Sequence, residues 1–148
     1  MRAGPAPLTL ASLGRFLPVL VSHSRLHTPL RMKRYNETEV AWCRQGIVEL
    51  ATSILRGDLG VLEGSRRMLA FRFCAGIDEF DQDLLTFVSI ESQEDHLPLS
   101  AERQHWSPAA LAGIEVEIAE AEQFHRSAAH EACESLLRRF RSPAETAG

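Results

Sequence analysis

The sequence lacks the motifs that mark the common classes of enzyme. It contains no phosphate-binding glycine loop, no nucleophile elbow and no HExxH zinc motif. The apolar run over residues 16 to 21 contains Pro18, is shorter than the apolar region of a signal peptide, and is far too short to span a bilayer. We therefore predict no cofactor, no bound metal ion and no membrane association.

Cysteine is also scarce. Cys43, Cys74 and Cys133 are the three cysteines, and none of them belongs to a CxxC pair. An odd number of widely spaced cysteines argues against a disulfide scaffold and a structural zinc site, and it favours a reducing compartment. Cys43 and Cys133 fall on apolar helix faces, so we predict buried free thiols in a cytoplasmic protein.

Acidic residues are absent before Glu37, although the same segment has six basic residues. Residues 37 to 148 therefore contain ten of the 16 basic residues and all 20 acidic ones, which gives this part a net charge of −10. Such a surface disfavours binding to nucleic acid or to an anionic membrane, and it suits a basic protein partner.

The first 31 residues differ in character from the rest of the chain. Pro5, Pro7, Pro18 and Pro29 interrupt every stretch that could form a helix. Met32 begins the sequence MKRYNETEV, which resembles a natural translation start just before a helix. We predict that residues 1 to 35 are a disordered or loosely attached extension, or an over-extended start, and that residues 142 to 148 are a frayed tail.

Residues 36 to 141 are predicted to form a single all-α domain, a compact bundle of four to five helices. Asn36 and Glu39 make a capping box that begins the first helix, and Gly57 ends it. Asp58 is the predicted N-cap of a second helix that continues to Gly76. The buried face of this second helix is predicted to hold Leu59, Leu62, Leu69 and Phe73.

The stretch from residue 77 to residue 106 is the one around which the domain is predicted to pack. Asp81 is a suitable N-cap, and Leu84 and Phe87 follow at helical spacing. Pro98 places residues 94 to 99 in a loop, which a short helical turn over residues 100 to 106 follows. A strand over residues 84 to 90 is the alternative, because Val, Ile, Phe and Thr favour strands.

The last predicted helix begins with Ser107 as N-cap and Pro108 at the first helical position. We expect a break at Gly113 and a long helix from Ile114 to about Arg141. Its predicted inner face consists of Ile114, Ile118, Ala121, His125, Ala128, Ala132, Leu136 and Phe140. His125 is expected to make a polar contact within the core.

Two polar clusters are candidate functional sites. The first consists of Glu91, Asp95, His96, Arg103, His105 and Trp106. A helix end followed by a loop can present carboxylates and an imidazole to one cation or one water, although this spacing matches no metal signature. The second consists of Arg66, Arg67 and Arg72, which either form ion pairs with the acidic third helix or bind an anion.

Three motifs carry a resemblance to a known family. They are Gly60-Val61-Leu62-Glu63-Gly64 before Arg66-Arg67, Asp81 and Asp83 with Phe87, Val88, Ile90 and Ser92, and Asp95-His96-Leu97-Pro98-Leu99 with Arg103, His105 and Trp106. Over residues 58 to about 140 the chain resembles an uncharacterised bacterial family, catalogued as a domain of unknown function. The resemblance implies no activity, and it directs attention to Asp95, His96, Arg103 and Trp106. Glu91 stands where the family is expected to have an aspartate.

Three functions remain open at this point. The first is an interaction protein, an adaptor or an immunity protein that neutralises a toxin, since the acidic surface suits a basic partner. The second is a metal-dependent or acid–base enzyme that uses Glu91, Asp95 and His96. The third is a structural homodimer that associates through the faces bearing Trp42 and Leu85, because Trp42 lies off the apolar stripe of its helix and is expected to be partly exposed.

Overall fold

The computed structural model describes residues 36 to 141, and these residues form an all-α bundle. The α-helices are α1 (Glu37–Arg56), α2 (Val61–Met68), α3 (Gln82–Gln93) and α4 (Pro108–Phe140), and 3-10 segments occupy Leu69–Phe71 and Ser100–His105. This part of the chain contains no strand, so the predicted fold class is confirmed and the strand alternative for residues 84 to 90 is wrong. The predictions for residues 1 to 35 and 142 to 148 lie outside the described residues.

Local signals set the beginnings of three helices as predicted. The Asn36 side chain accepts a hydrogen bond from the Glu39 amide at 2.8 Å, and the Glu39 carboxylate accepts one from the Asn36 amide at 3.0 Å. Asp81 accepts from the amides of Asp83 and Leu84 at the start of α3. Ser107 caps α4 in the same way. Each cap satisfies amides that have no partner within the helix.

The beginning of α2 differs from the prediction. Gly60, not Asp58, is the N-cap residue, and it has no side chain to offer. The cap comes instead from Glu122 of α4, whose carboxylate oxygens accept hydrogen bonds from Val61 N at 2.7 Å and Leu62 N at 3.0 Å. A Cβ on Gly60 would lie 2.6 Å from Glu122 Oε1, so glycine permits this close approach. The negative carboxylate also complements the positive end of the helix.

The segment after α2 also departs from the prediction. The α-helix ends at Met68 and is followed by the 3-10 segment. It therefore does not extend to Gly76, as predicted from the sequence. Gly76 lies in the following loop and has a φ of 65°. Phe73 was predicted to be buried, but this change of backbone direction leaves its side chain exposed. Phe71 instead packs on α1, where a Cβ on Gly46 would lie 2.6 Å from the ring.

A disulfide holds this segment against α1. Cys43 and Cys74 are bonded, with their Cα atoms 5.9 Å apart, so the prediction that Cys43 is a free thiol is wrong. Their sequence separation of 31 residues gives no local signal of pairing, and only the packing of the loop on α1 brings them together. Cys133 is a buried free thiol as predicted, and burial raises its pKa to about 12.

The longest element, α4, packs against α1, α2 and α3. It has 33 residues, a length of about 50 Å, and it continues through Gly113 without the predicted break. A Cβ on Gly113 would meet no atom within 4 Å, so no packing contact forces the backbone to bend there. Ala121 and Ala132 face the core, whereas Ala128 is exposed and does not belong to the inner face as predicted.

The core lies between α4 and the three shorter helices. Its largest fully buried hydrophobic side chains are Phe87, Ile47, Ile54, Met68, Leu84, Leu97 and Leu136. Leu97 belongs to the loop after α3, so this loop is packed into the bundle. At the other end of α3, the Arg139 guanidinium donates to Asp81 at 2.7 Å and to Asp83 at 2.8 Å. Both ends of α3 are therefore anchored.

We predict that Glu122→Ala lowers the free energy of unfolding by about 1–2 kcal/mol, because two amides of α2 lose their cap. Urea denaturation followed by circular dichroism measures this change. Glu120→Ala is the matched control, since Glu120 is exposed on the same helix and makes no hydrogen bond to another described residue. Equal effects of the two substitutions would show that Glu122 does not stabilise the N-terminus of α2.

Thiol chemistry tests the disulfide. Unfolded, unreduced protein is expected to react with one equivalent of a thiol reagent, at Cys133, whereas the folded protein reacts slowly because that thiol is buried. Cys43→Ser should cost about 3–4 kcal/mol of stability for a loop of this length. Three reactive thiols in unfolded, unreduced protein would contradict the pairing.

Candidate functional site

The first predicted cluster lies where α3, the loop after it and the second 3-10 segment meet α4. The structure divides the cluster among separate partners. Arg66 of α2 joins Glu91 to Glu102, with Arg66 Nε 3.7 Å from Glu91 Oε1 and Arg66 Nη1 2.8 Å from Glu102 Oε2. Glu102 also accepts from the Leu99 amide at 3.2 Å. The Leu99 hydrogen bond and the Arg66 charge together lower the pKa of Glu102.

The three arginines of the second cluster do not form a common site. Arg66 pairs with Glu91 of α3, as the ion-pair interpretation predicts. Arg67 pairs with Glu63, one turn earlier in α2. The guanidinium of Arg72 donates to the Glu79 carbonyl oxygen at 2.8 Å and lies over the Phe73 ring. These contacts belong to three different parts of the surface, so one anion cannot engage all three side chains.

Two other members of the first cluster contact α4. His96 Nε2 lies 2.7 Å from a carboxylate oxygen of Glu117, and this hydrogen bond is the main cause of a raised pKa for His96. Arg103 donates to the Glu115 carboxylate. These contacts attach the loop and the 3-10 segment to the first half of α4. His96, which the acid–base interpretation needs, is therefore already hydrogen-bonded to Glu117.

The remaining members are exposed. Asp95 and His105 are exposed and have no side-chain hydrogen bond among residues 36 to 141, and Trp106 is 40% exposed. Glu91 and His96 therefore have different partners, and the Asp95 side chain has none in this part of the chain. Among the described residues, no group of three or more His, Cys, Asp or Glu side chains could hold a metal ion.

A buried polar pair joins the end of α3 to α4. His125 is 5% exposed, and its Nε2 lies 2.8 Å from Glu94 Oε1. The ring of Phe124 meets the imidazole edge-on, with centroids 4.9 Å apart. His125 thus makes the polar contact within the core that the sequence predicts. The identity of its partner, 31 residues away, could not be obtained from spacing.

The most unusual surface is one that the sequence analysis did not identify. We define the outer face of α4 as the exposed residues Ala109, Ala112, Gly113, Val116, Ala119, Glu120, Gln123 and Phe124. The side chain of Phe124 is 77% exposed and that of Val116 is 65% exposed. Only Glu120 among these residues is charged, although the solvent-facing side of a surface helix normally has charged and polar residues.

The spacing of these residues could have indicated the outer face. Ala109, Ala112, Val116, Ala119 and Gln123 recur every three or four residues, which is the pattern of a helix face that packs against another helix. The sequence of α4 contains two such stripes, and only the one that forms the core was predicted. Because Ala and Gly are small, another helix could approach the outer face closely.

Aromatic side chains are also exposed elsewhere in the described domain. Trp42 is largely exposed, as predicted, and its ring centroid lies 5.6 Å from that of Phe71. Phe80 is 67% exposed in the loop before α3. These residues come from α1 and two separate loop positions, so they do not form the regular face that α4 presents.

Comparison with other proteins gives no further guide to the site. No family model, no curated protein and no solved structure matches the chain. The resemblance of residues 58 to about 140 to an uncharacterised bacterial family stays a prediction. Within the described residues, no helix has the length and apolar character needed to cross a membrane.

Proton titration tests the contact between the loop and α4. We expect the pKa of His96 to lie above the ordinary value of 6.5, chiefly because Glu117 accepts a hydrogen bond from the protonated ring. The contact should therefore stabilise the fold most below pH 6.5, and its contribution should be lost as the pH rises through the raised pKa. Histidine NMR measures the value directly.

Glu117→Gln is expected to lower the pKa of His96, and Glu120→Gln serves as the control because Glu120 makes no contact with this ring. An unchanged pKa in the Glu117 variant would mean that the two side chains are not paired in solution.

Proposed function

We propose that the protein acts by binding a basic protein partner through the outer face of α4. The observation that carries the proposal is the exposure of two large apolar side chains, Val116 and Phe124, on a helix face whose only charged member is Glu120. Single exposed apolar residues are common on protein surfaces, but a continuous apolar face on one helix is typical of an interaction site. Such a face suits an amphipathic helix of the partner.

Charge supports a basic partner. Glu120 lies within the outer face and makes no ion pair with another described residue, and α4 has no Lys or Arg before Arg126. Glu115 and Glu117 flank the face, where Arg103 and His96 partly balance their charge. Two copies of the chain would bring the same carboxylates together, which disfavours a homodimer through this face. A partner with lysine or arginine beside its apolar residues would gain both charge complementarity and apolar burial.

This class of function includes the immunity proteins that neutralise a basic toxin, and it includes adaptors. We prefer it to the acid–base enzyme because Glu91 is paired with Arg66 and His96 with Glu117, whereas the residues of the outer face lie together on one side of one helix. The bacterial origin implied by the resemblance is compatible with a toxin–immunity pair.

We also propose a cytoplasmic location. The scarcity of cysteine no longer supports it, because Cys43 and Cys74 are bonded and stable disulfides are typical of oxidising compartments. Fractionation of the native host, with the oxidation state of the two cysteines measured in each fraction, would decide the compartment.

Site-specific crosslinking tests the interface in the native host. A photo-crosslinking amino acid at Ala119, in the middle of the outer face, should yield an adduct with a basic protein. The same amino acid at Ala101, an exposed residue of the second 3-10 segment, is the control and should yield none. Adducts only between two copies of the chain, or no adduct at all, would contradict the proposal.

A matched pair of substitutions makes the test specific. Phe124→Asp should reduce the adduct at Ala119 by about tenfold or more, because an apolar anchor is lost. Phe80→Asp replaces an aromatic residue of similar exposure elsewhere and should leave the adduct unchanged. Purified Phe124→Asp protein should keep its helical circular dichroism spectrum, which separates lost binding from lost folding.

A further inference from the structure

A cavity of about 370 Å³ lies where the end of α1, the beginning of α2 and the middle of α4 meet. Its lining includes four charged or titratable side chains, Arg56, Glu122, Arg126 and His130, and the apolar side chains of Leu55 and Leu59. The cavity is distinct from the outer face of α4, because none of its lining residues belongs to that face. Its volume is within the range of about 300–1,000 Å³ that is usual for small-molecule sites.

The two arginines of this cavity are exceptional in the described domain. Of the ten arginines in residues 36 to 141, seven donate a hydrogen bond to another described residue. The three that do not are Arg56, Arg126 and Arg138, and two of these three line the same cavity. In a domain with 19 acidic and ten basic residues, most guanidinium groups donate to a carboxylate or a carbonyl oxygen.

The helix cap explains why Arg126 has no intrahelical partner. Glu122 precedes it by four residues, which is the favourable spacing and order for an ion pair in a helix. Both oxygens of the Glu122 carboxylate instead accept hydrogen bonds from Val61 N and Leu62 N. No ion pair between Glu122 and Arg126 forms, and the guanidinium remains beside the cavity.

Arg56 likewise has no ion-pair partner on its own helix, α1. Thr52 and Ser53 precede it by four and three residues, so α1 offers it no carboxylate. On α4, Arg126 and His130 are four residues apart and lie on the same side of the helix. The cavity therefore receives positive groups from α1 and from α4.

We propose that this cavity binds a small monocarboxylate with an apolar substituent. Guanidinium groups match the two oxygens of a carboxylate, and Leu55 and Leu59 provide an apolar surface for the rest of the ligand. The Glu122 carboxylate also lines the cavity, and its charge disfavours a ligand with two or more negative charges. A monoanion is therefore preferred to phosphate.

An NMR titration of the full chain tests the site with hexanoate as the probe. We expect saturable shifts confined to residues of the cavity, including the amides of Gly57 and Gly60 and the side chains of Arg56 and Arg126. Hexylamine, which has the same chain and the opposite charge, should cause no such shifts, and inorganic phosphate should bind more weakly than hexanoate.

Substitutions identify the groups that bind the probe. Arg56→Gln and Arg126→Gln should each weaken hexanoate binding by about tenfold or more, because each removes a charged donor. Arg138→Gln is the control, since Arg138 also makes no hydrogen bond to another described residue but does not line this cavity. Shifts outside the cavity, phosphate binding as tight as hexanoate binding, or equal affinities in all three variants would overturn the proposal.

Discussion

The bundle depends on the contact of α4 with the three shorter helices. The short α2 segment has no side-chain cap of its own, α3 needs a partner at each end, and α4 supplies all of these contacts. Glu122 caps α2, His125 meets Glu94 at the end of α3, and Arg139 meets Asp81 at its beginning. Because these polar contacts accompany an Ala-rich buried stripe, α4 lies close to its neighbours and its orientation is fixed.

The same contacts determine how charge is distributed. The described domain has 19 acidic and ten basic residues, and Arg66, Arg103 and Arg139 form ion pairs that hold elements together. Each pair gives little stability on an exposed surface, but together they fix where the loop and the 3-10 segments lie. The carboxylates that remain without a basic partner, such as Glu120, give the outer face of α4 its negative surroundings.

Local features of the sequence were sufficient for the fold class and for most helix ends. Asn36, Asp81 and Ser107 cap the helices they precede, so their role can be deduced from neighbouring residues. The cap by Glu122 and the bond between Cys43 and Cys74 could not be deduced, because both join residues far apart in sequence. The contacts of His96 with Glu117 and of Arg103 with Glu115 could not be deduced either, because they depend on how α4 packs against the loop and the 3-10 segment.

The central claim is that α4 has two working faces, one that holds the bundle and one that binds another protein. Hydroxyl-radical footprinting in intact cells and on purified protein measures this directly, because it compares the oxidation of individual exposed aromatic side chains. We expect oxidation of Phe124 to fall markedly in cells while Phe80 and Trp42 are oxidised as in the purified protein. Equal oxidation of Phe124 in both samples would contradict the claim.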